Sequence, residues 1–154
     1  MKILFLDVDG VLNKLGSTPE TRTKQRVREG GLIIGVEPEL CRIVEEIVES
    51  TGCKVVLSSS WRDSDPNDEG MVYLKENLNF GFYDITPRTR TGFRGEDILQ
   101  WFCNNSNSDV INCTKYAILD DENDFFKFQP WFQSNHETGI TRDLAYKIIG
   151  YLNS

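Results

Sequence analysis

Three short apolar runs in this chain each end abruptly in residues whose side chains carry oxygen atoms. The runs are residues 3–6, 53–57 and 116–119. Continuous apolar runs of this length are typical of strands that are covered on both faces, as in the centre of a parallel sheet. Open α/β sheets bind their ligands at the edge where the carboxyl ends of their strands meet. The pattern therefore predicts an α/β domain with a site at that edge.

The segments between these runs supply the helices that parallel strands require. Pro38 opens an amphipathic helix with a clean apolar stripe, and Gly52 is typical of a helix end. A strand–helix–strand unit of these lengths forms a right-handed crossover, so its two strands are predicted to be parallel. Further helices are predicted over residues 65–76, after Arg94 and after a Thr141 cap.

The rest of the chain is predicted to be shorter or irregular. Residues 80–85 indicate a brief aromatic strand and residues 131–134 an edge strand, whereas residues 13–35 lack helical periodicity and form a long loop insertion. No internal repeat or linker is present. We therefore expect residues 1–154 to form one three-layer, Rossmann-like domain around a central, mostly parallel sheet.

Composition narrows the classes of function. The chain has 154 residues, 39% of them hydrophobic, which suits one domain with a real core. Its net charge of −7 excludes a global basic field for nucleic acid, although a local cationic pocket could still act on phosphates. Four cysteines without C-x-x-C spacing and a single histidine disfavour zinc and histidine-based catalysis. Without a leader or a membrane-spanning segment, we expect a cytoplasmic protein with no membrane partner.

Two carboxylates follow the first strand. In extended backbone, Asp7 and Asp9 point to the same side, and Gly10 then lets the chain turn away. Carboxylates this close repel one another unless a cation or a shared proton compensates, and Mg²⁺ is a common cation among oxygen ligands. Taken alone, the motif is about as consistent with an acidic turn as with a site.

The second strand ends in hydroxyl groups and a cation. Ser58 and Ser59, with Arg62 close behind, are suitable donors to phosphate oxygens, although a polar turn would look the same. Arg94 stands at a helix start, where a cation opposes the helix dipole, so either an anionic ligand holds it there or it is an ordinary surface arginine. The third strand ends in Asp120 and Asp121, which makes coincidence a less attractive explanation.

At this point the chain resembles the haloacid dehalogenase (HAD) superfamily of phosphotransferases. Four pieces in order carry the resemblance: Asp7-Val-Asp9-Gly10-Val, Val-Val-Leu-Ser58, Arg94 at a helix start, and Ile-Leu-Asp120-Asp121. Details such as Ser-Ser-Ser-Trp-Arg and Arg-Gly-Glu-Asp-Ile look most like the phosphatase domains of RNA-repair enzymes and the 3′-phosphatase domains fused to polynucleotide kinases. The insertions are too short for the folded cap that the superfamily often carries, which implies an open active site.

The resemblance implies an Mg²⁺-dependent phosphomonoesterase. Asp7 would be the nucleophile that forms an aspartyl-phosphate, and Asp9 would protonate the leaving oxygen and later deprotonate the hydrolytic water. The expected metal ligands are Asp7, the backbone carbonyl of Asp9 and Asp121, with Asp120 binding directly or through water.

The phosphate ligands implied by the resemblance are Ser58 and Arg94. Two alternatives stay open at this point: Ser59 could replace Ser58, and Lys115 could replace Arg94 in the cationic role.

The substrate is open as well. A phosphorylated substrate, including 3′-phosphorylated polynucleotide ends, is the leading partner. A groove for backbone phosphates could be formed by the basic residues of the 22–28 loop, Arg62 and the arginines of residues 88–94. Alternatively, the loop charges are ordinary solvent-exposed surface residues. The alternatives are a phosphatase for nucleotides or sugar phosphates, and a non-catalytic, receiver-like module that binds phosphate or metal. Asp9 argues against the last, since a phosphate acceptor alone does not need a general acid.

Overall fold

The computed structural model describes residues 1–14, 26–27, 33–62, 69–107 and 109–154. Five parallel strands form the central sheet, in the order β5-β4-β1-β6-β7. The five are β1 (Lys2–Leu6), β4 (Lys54–Leu57), β5 (Asp84–Ile85), β6 (Lys115–Asp120) and β7 (Trp131–Gln133). The three predicted apolar runs are therefore the three central strands, and β1 lies in the middle.

Helices cover both faces of this sheet, so the domain has the predicted three layers. They are α1 (Pro38–Thr51), α2 (Glu69–Asn77), α3 (Arg94–Asn104) and α4 (Arg142–Asn153). Because alternate residues of a strand face opposite sides, Leu4 and Leu6 pack with α1, α2 and α4, whereas Ile3 and Phe5 pack against α3. β1 is buried on both faces, which explains its unbroken apolar sequence.

Helix boundaries follow the local sequence signals. Pro38 is the first residue of α1, and Gly52 ends that helix in the left-handed region, at φ 65°. The Thr141 side chain accepts a hydrogen bond from the backbone N–H of Leu144, as an N-cap residue should. The predicted start of α2 at residue 65 lies outside the described residues.

Two predictions of local structure are wrong. The strand predicted over residues 80–85 is only Asp84–Ile85, because the chain turns at Gly81, at φ 60°, and first bonds the sheet through the backbone N–H of Tyr83. The 13–35 insertion is not entirely a loop, since β2 (Arg26–Val27) pairs antiparallel with β3 (Ile33–Ile34). Strands of two residues are too short to show periodicity in a sequence.

The described residues contain no sizeable cap domain over the carboxyl edge of the sheet. Among the described residues, the first insertion contains the small β2–β3 ribbon, and the second contains α2 and β5. No helix in the described part of the chain is both long enough and apolar enough to cross a bilayer.

Candidate active site

The sheet topology brings three polar chain segments together at the carboxyl edge. Leu6 is in register with both Leu57 and Leu119, so the residues that follow these strands are neighbours. Backbone hydrogen bonds continue the ladder beyond the strand ends: Asp7 N–H donates to Leu119 at 3.0 Å, and Ser58 N–H donates to Leu6 at 2.8 Å. The site is therefore fixed by the backbone of the sheet core.

Three acidic side chains form a cluster at this edge. One carboxylate oxygen from each of Asp7, Asp120 and Asp121 lies within 4.8 Å of the other two. Asp7 and Asp120 are buried, and Asp121 is half-buried. Gly10 closes one side, since a Cβ built on it would lie 2.3 Å from Asp121 Oδ2.

Burial makes negative charge unfavourable in this cluster. It raises the pKa of Asp7 to about 6, against the lowering effects of the Arg94 charge and a Ser59 hydrogen bond. Burial and the neighbouring Asp7 charge together raise the pKa of Asp120 to about 8. Burial, followed by the charge of Glu122, also raises the pKa of Asp121. The cluster therefore favours compensation by a cation.

The guanidinium of Arg94 supplies one such charge. Its Nη1 lies 3.1 Å from Asp7 Oδ1 and 2.5 Å from Asp120 Oδ2, and donates to the Ser58 carbonyl at 3.2 Å. The anions that hold this arginine at a helix start are thus the site's own carboxylates. Asp124 also offsets the helix-dipole conflict, because its side chain accepts from the Arg94 N–H at 3.1 Å.

Lys115, the alternative cation, lies elsewhere. It begins β6 and pairs in register with Lys2 at the start of β1, so it lies at the amino edge of the sheet. There its Nζ donates to Ser154 Oγ at 2.5 Å and lies 4.6 Å from the Tyr151 ring centroid. The geometry thus leaves Arg94 as the cation beside the acidic cluster.

The carboxylate of Asp9 lies outside the acidic cluster and is exposed to solvent. Its Oδ1 accepts a hydrogen bond from Asn13 Nδ2 and its Oδ2 accepts one from Trp61 Nε1, both at 2.9 Å. Asn13 is itself fixed, because its Oδ1 accepts from the Gly10 N–H and its Nδ2 donates to the Gly35 carbonyl. The two carboxylates of the first motif thus have different surroundings.

Both candidate serines are buried at the site. The Ser58 hydroxyl has no hydrogen-bond partner among the described residues, although it is only 1% exposed. Ser59 Oγ accepts from the Trp61 N–H at 3.3 Å, and its hydroxyl lowers the pKa of Asp7. Because a buried polar group normally has a partner, the Ser58 hydroxyl is the better placed of the two to bind a ligand oxygen.

Arg62 is engaged by a residue that the sequence did not single out. Its Nη2 forms a buried ion pair with Asp97 Oδ2, and its Nη1 donates to the Ser59 carbonyl at 3.1 Å. The other carboxylate oxygen of Asp97 accepts from the Thr89 N–H at 2.7 Å. One signal could have revealed Asp97: it is an acid on the apolar face of α3, one turn before Trp101.

The basic loop predicted over residues 22–28 falls almost wholly outside the described residues. Residues 22, 24 and 28 lie outside the described residues, and only the backbone of Arg26 is described. Two further residues hold Asp9. Trp61, which the sequence offered only within the Ser-Ser-Ser-Trp-Arg motif, bonds it across 52 residues, and Asn13, which was not predicted as a site residue, bonds it across four.

The acidic cluster fits a hard divalent cation. All its donors are oxygens, two are buried, and burial raises the pKa of each carboxyl group. Mg²⁺ is bound in proteins by one or a few carboxylates together with water and phosphate oxygens. The residues that would hold it are Asp7, Asp120 and Asp121.

Comparisons with known proteins show what the chain is similar to. The family model for HAD domains in Swiss Army Knife RNA repair proteins matches residues 3–145. Among solved structures, a protein assigned to subfamily III A of the HAD superfamily of hydrolases, from Legionella pneumophila, has a TM-score of 0.49 at 13% identity, covering 99% of this chain and 83% of that one. A hypothetical protein from Xanthomonas campestris has a TM-score of 0.47 at 11% identity, covering 99% and 82%. No curated protein matches the chain.

Proposed function

Because the chain belongs to the family of HAD domains found in Swiss Army Knife RNA repair proteins, a family of hydrolases, we propose that it is an Mg²⁺-dependent phosphomonoesterase. In this proposal Asp7 forms a covalent aspartyl-phosphate and the preferred substrate is a phosphorylated polynucleotide 3′ end. A non-catalytic receiver-like role is the less favoured alternative, since a domain that only accepts phosphate does not need a general acid at Asp9.

One observation carries the proposal: two carboxylates only two residues apart have opposite surroundings. Asp7 is 2% exposed, belongs to the acidic cluster and contacts Arg94. Asp9 is exposed and is held away from the cluster by Trp61 and Asn13. Paired carboxylates in different environments are typical of sites where one acts as nucleophile and the other transfers protons.

The reaction then follows from what each residue can do. A carboxylate oxygen of Asp7 attacks phosphorus, and the bond between phosphorus and the ester oxygen breaks while Asp9 gives that oxygen a proton. In the second half, Asp9 takes a proton from water, which attacks the phosphorus and releases phosphate and Asp7.

The neighbouring groups stabilise the phosphoryl group during this transfer. Arg94 brings positive charge to its oxygens, and the Ser58 hydroxyl donates a hydrogen bond to one of them. A bound Mg²⁺ supplies further charge neutralisation and keeps Asp7 ionised. The protein's task is mainly positioning, which the backbone ladder beneath Asp7 and Ser58 provides.

Three observations support the choice of substrate class. The matched family model describes HAD domains of RNA repair proteins. The carboxyl edge carries no sizeable cap among the described residues, so a large substrate could reach the site. Finally, Arg62, Arg88 and Arg94 lie around one pocket beside the site, which gathers three guanidinium groups there in a chain of net charge −7.

A substrate panel tests the proposal. We expect the purified protein with Mg²⁺ to release phosphate from a 3′-phosphorylated oligoribonucleotide faster than from its 5′-phosphorylated counterpart or from sugar phosphates. Asp7→Asn and chelation of Mg²⁺ should each abolish turnover. Full activity of Asp7→Asn would refute the covalent mechanism, and a preference for sugar phosphates would refute the substrate class.

A further inference from the structure

A separate pocket opens next to the candidate active site. It has a volume of about 150 Å³ and is lined by Ser60, Arg62, Arg88, Gly92, Arg94 and Asp97. One water occupies roughly 30 Å³ in the liquid, so the space suits a group the size of a phosphate with a few waters. Of the residues that line it, the reaction described above uses only Arg94.

Three of the six residues that line the pocket are arginines. Three guanidiniums face one carboxylate, that of Asp97, among the described residues of the lining. The Asp97 charge is already matched by its buried ion pair with Arg62. Guanidinium groups present forked N–H donors that match the oxygens of phosphate. A pocket with this lining therefore favours an anion with several oxygens.

The wall of the pocket is organised before any ligand binds. Asp97 is 1% exposed and uses one oxygen for Arg62 and the other for the backbone N–H of Thr89. It thereby ties the turn after β4 to the turn that carries Arg88. Arg88, which is exposed, in turn donates to the Ser60 carbonyl at 3.4 Å. A wall held in this way loses little conformational entropy on binding an anion.

Arg94 connects this pocket to the site of phosphoryl transfer. Its Nη1 contacts Asp7 and Asp120, while its side chain also lines the pocket. Arg94 is therefore shared between the pocket and the site of phosphoryl transfer, so an anion in the pocket would be a neighbour of a phosphoryl group on Asp7. Neighbouring anion sites that share a guanidinium suit two phosphates of one molecule.

We propose that this pocket binds a second phosphate of the substrate, one sugar away from the phosphate that is removed. The preferred substrate unit is then a nucleoside 3′,5′-bisphosphate, either free or as the last nucleotide of a strand. The assignment of the removed phosphate depends on the proposed function, but the binding of the second phosphate does not require turnover.

Calorimetric titration with defined nucleotides tests the inference. The titration uses the Asp7→Asn variant with Mg²⁺, because this variant lacks the nucleophile and cannot hydrolyse the nucleotide during the measurement. We expect adenosine 3′,5′-bisphosphate to bind at least about tenfold more tightly than adenosine 3′-monophosphate, since a charge-assisted phosphate contact contributes about 1.5 kcal/mol or more. Equal affinities, or no binding of the bisphosphate at millimolar concentration, would overturn the inference.

Two arginine variants in that background locate the second phosphate. Arg88→Ala should reduce the preference for the bisphosphate to about twofold, because Arg88 lines the pocket. Arg90→Ala is the matched control: it removes the same charge from an exposed position in the same turn, outside the lining, and should keep the preference. Equal effects of the two variants would mean that the preference reflects general charge, which would overturn the assignment.

Activity measurements separate this inference from the proposed function. If the wild-type protein with Mg²⁺ prefers to bind the bisphosphate but hydrolyses no phosphate ester, the proposed function fails and the pocket stands. If it hydrolyses the 3′-monophosphate and the bisphosphate with equal kcat/KM, and the binding preference is absent, the pocket fails and the phosphatase stands.

Discussion

Gly10→Ala should disable metal binding without a matching loss of fold. Gly10 has a φ of 74°, a left-handed conformation that costs a residue with a Cβ about 1–2 kcal/mol. The new Cβ would also lie 2.3 Å from Oδ2 and 2.4 Å from Cγ of Asp121. The Asp121 carboxylate would have to rotate away, and the acidic cluster would lose one of its three members.

The size of the effect follows from the backbone cost at Gly10 and the loss of the Asp121 carboxylate from the cluster. Loss of one carboxylate should weaken Mg²⁺ binding by about 10- to 100-fold, a range typical of perturbed metal sites. The stabilisation that saturating Mg²⁺ gives the fold should then fall by about 1.4–2.7 kcal/mol. Without Mg²⁺ the protein should lose little more than the backbone term, because removing an acid from the cluster also relieves repulsion.

Thermal unfolding with and without Mg²⁺ measures both terms. Gly81→Ala is the matched control, since Gly81 has a φ of 60° but no atom within 4 Å of a Cβ built there. Both variants should melt lower in EDTA, Gly10→Ala somewhat more because Asp121 Cβ also lies 2.9 Å from the new Cβ, and only Gly10→Ala should show a smaller Mg²⁺-dependent rise in Tm. A full Mg²⁺ response in Gly10→Ala would refute the assignment of Asp121 as a ligand.

Three further outcomes are expected. Trp61→Phe removes one of the two hydrogen bonds that hold Asp9. The kcat for alkyl phosphates should therefore fall about three- to tenfold, and the kcat for an activated aryl phosphate should fall by less. An equal loss on both substrates would argue against a proton-transfer role for Asp9. Asp97→Ala breaks a buried ion pair and should cost about 3–5 kcal/mol in chemical denaturation. Arg142→Ala, which breaks an exposed pair, should change the stability far less. In EDTA, the Tm should fall as the pH rises from about 4 to about 8, because the folded protein binds more protons than the unfolded chain over that range. Asp7 contributes to this difference, since its pKa is raised from 3.8 to about 6 in the folded protein. A Tm that rises with pH would contradict this prediction.

The sheet and the meeting of its strand ends could be predicted because their signals are local. Unbroken apolar runs marked the central strands, and Pro38 and Gly52 marked the ends of α1. Once the strands were taken as parallel, the topology rule alone placed Asp7, Ser58 and Asp120 at one edge.

The contacts that organise the site depend on pairs far apart in the sequence. Asp97 bonds Arg62 across 35 residues, and Trp61 bonds Asp9 across 52. Such pairs are fixed by rotamers and packing in the folded chain, and no periodicity reports them. The same holds for the capping of α3 by Asp124, which supplies the missing partner for a helix that begins with a cation.

The most direct test of the central claim is detection of the phosphoryl group on Asp7. In the Asp9→Asn variant, an activated aryl phosphate still transfers its phosphoryl group because its leaving group needs little protonation, but water is no longer deprotonated for the second step. Rapid acid quench and peptide mass spectrometry should then find one phosphoryl group on the peptide that contains Asp7, formed together with a stoichiometric burst of the aryl alcohol. The double variant Asp7→Asn/Asp9→Asn should give neither. A burst without phosphorylation of that peptide, or phosphorylation elsewhere in the chain, would contradict the account.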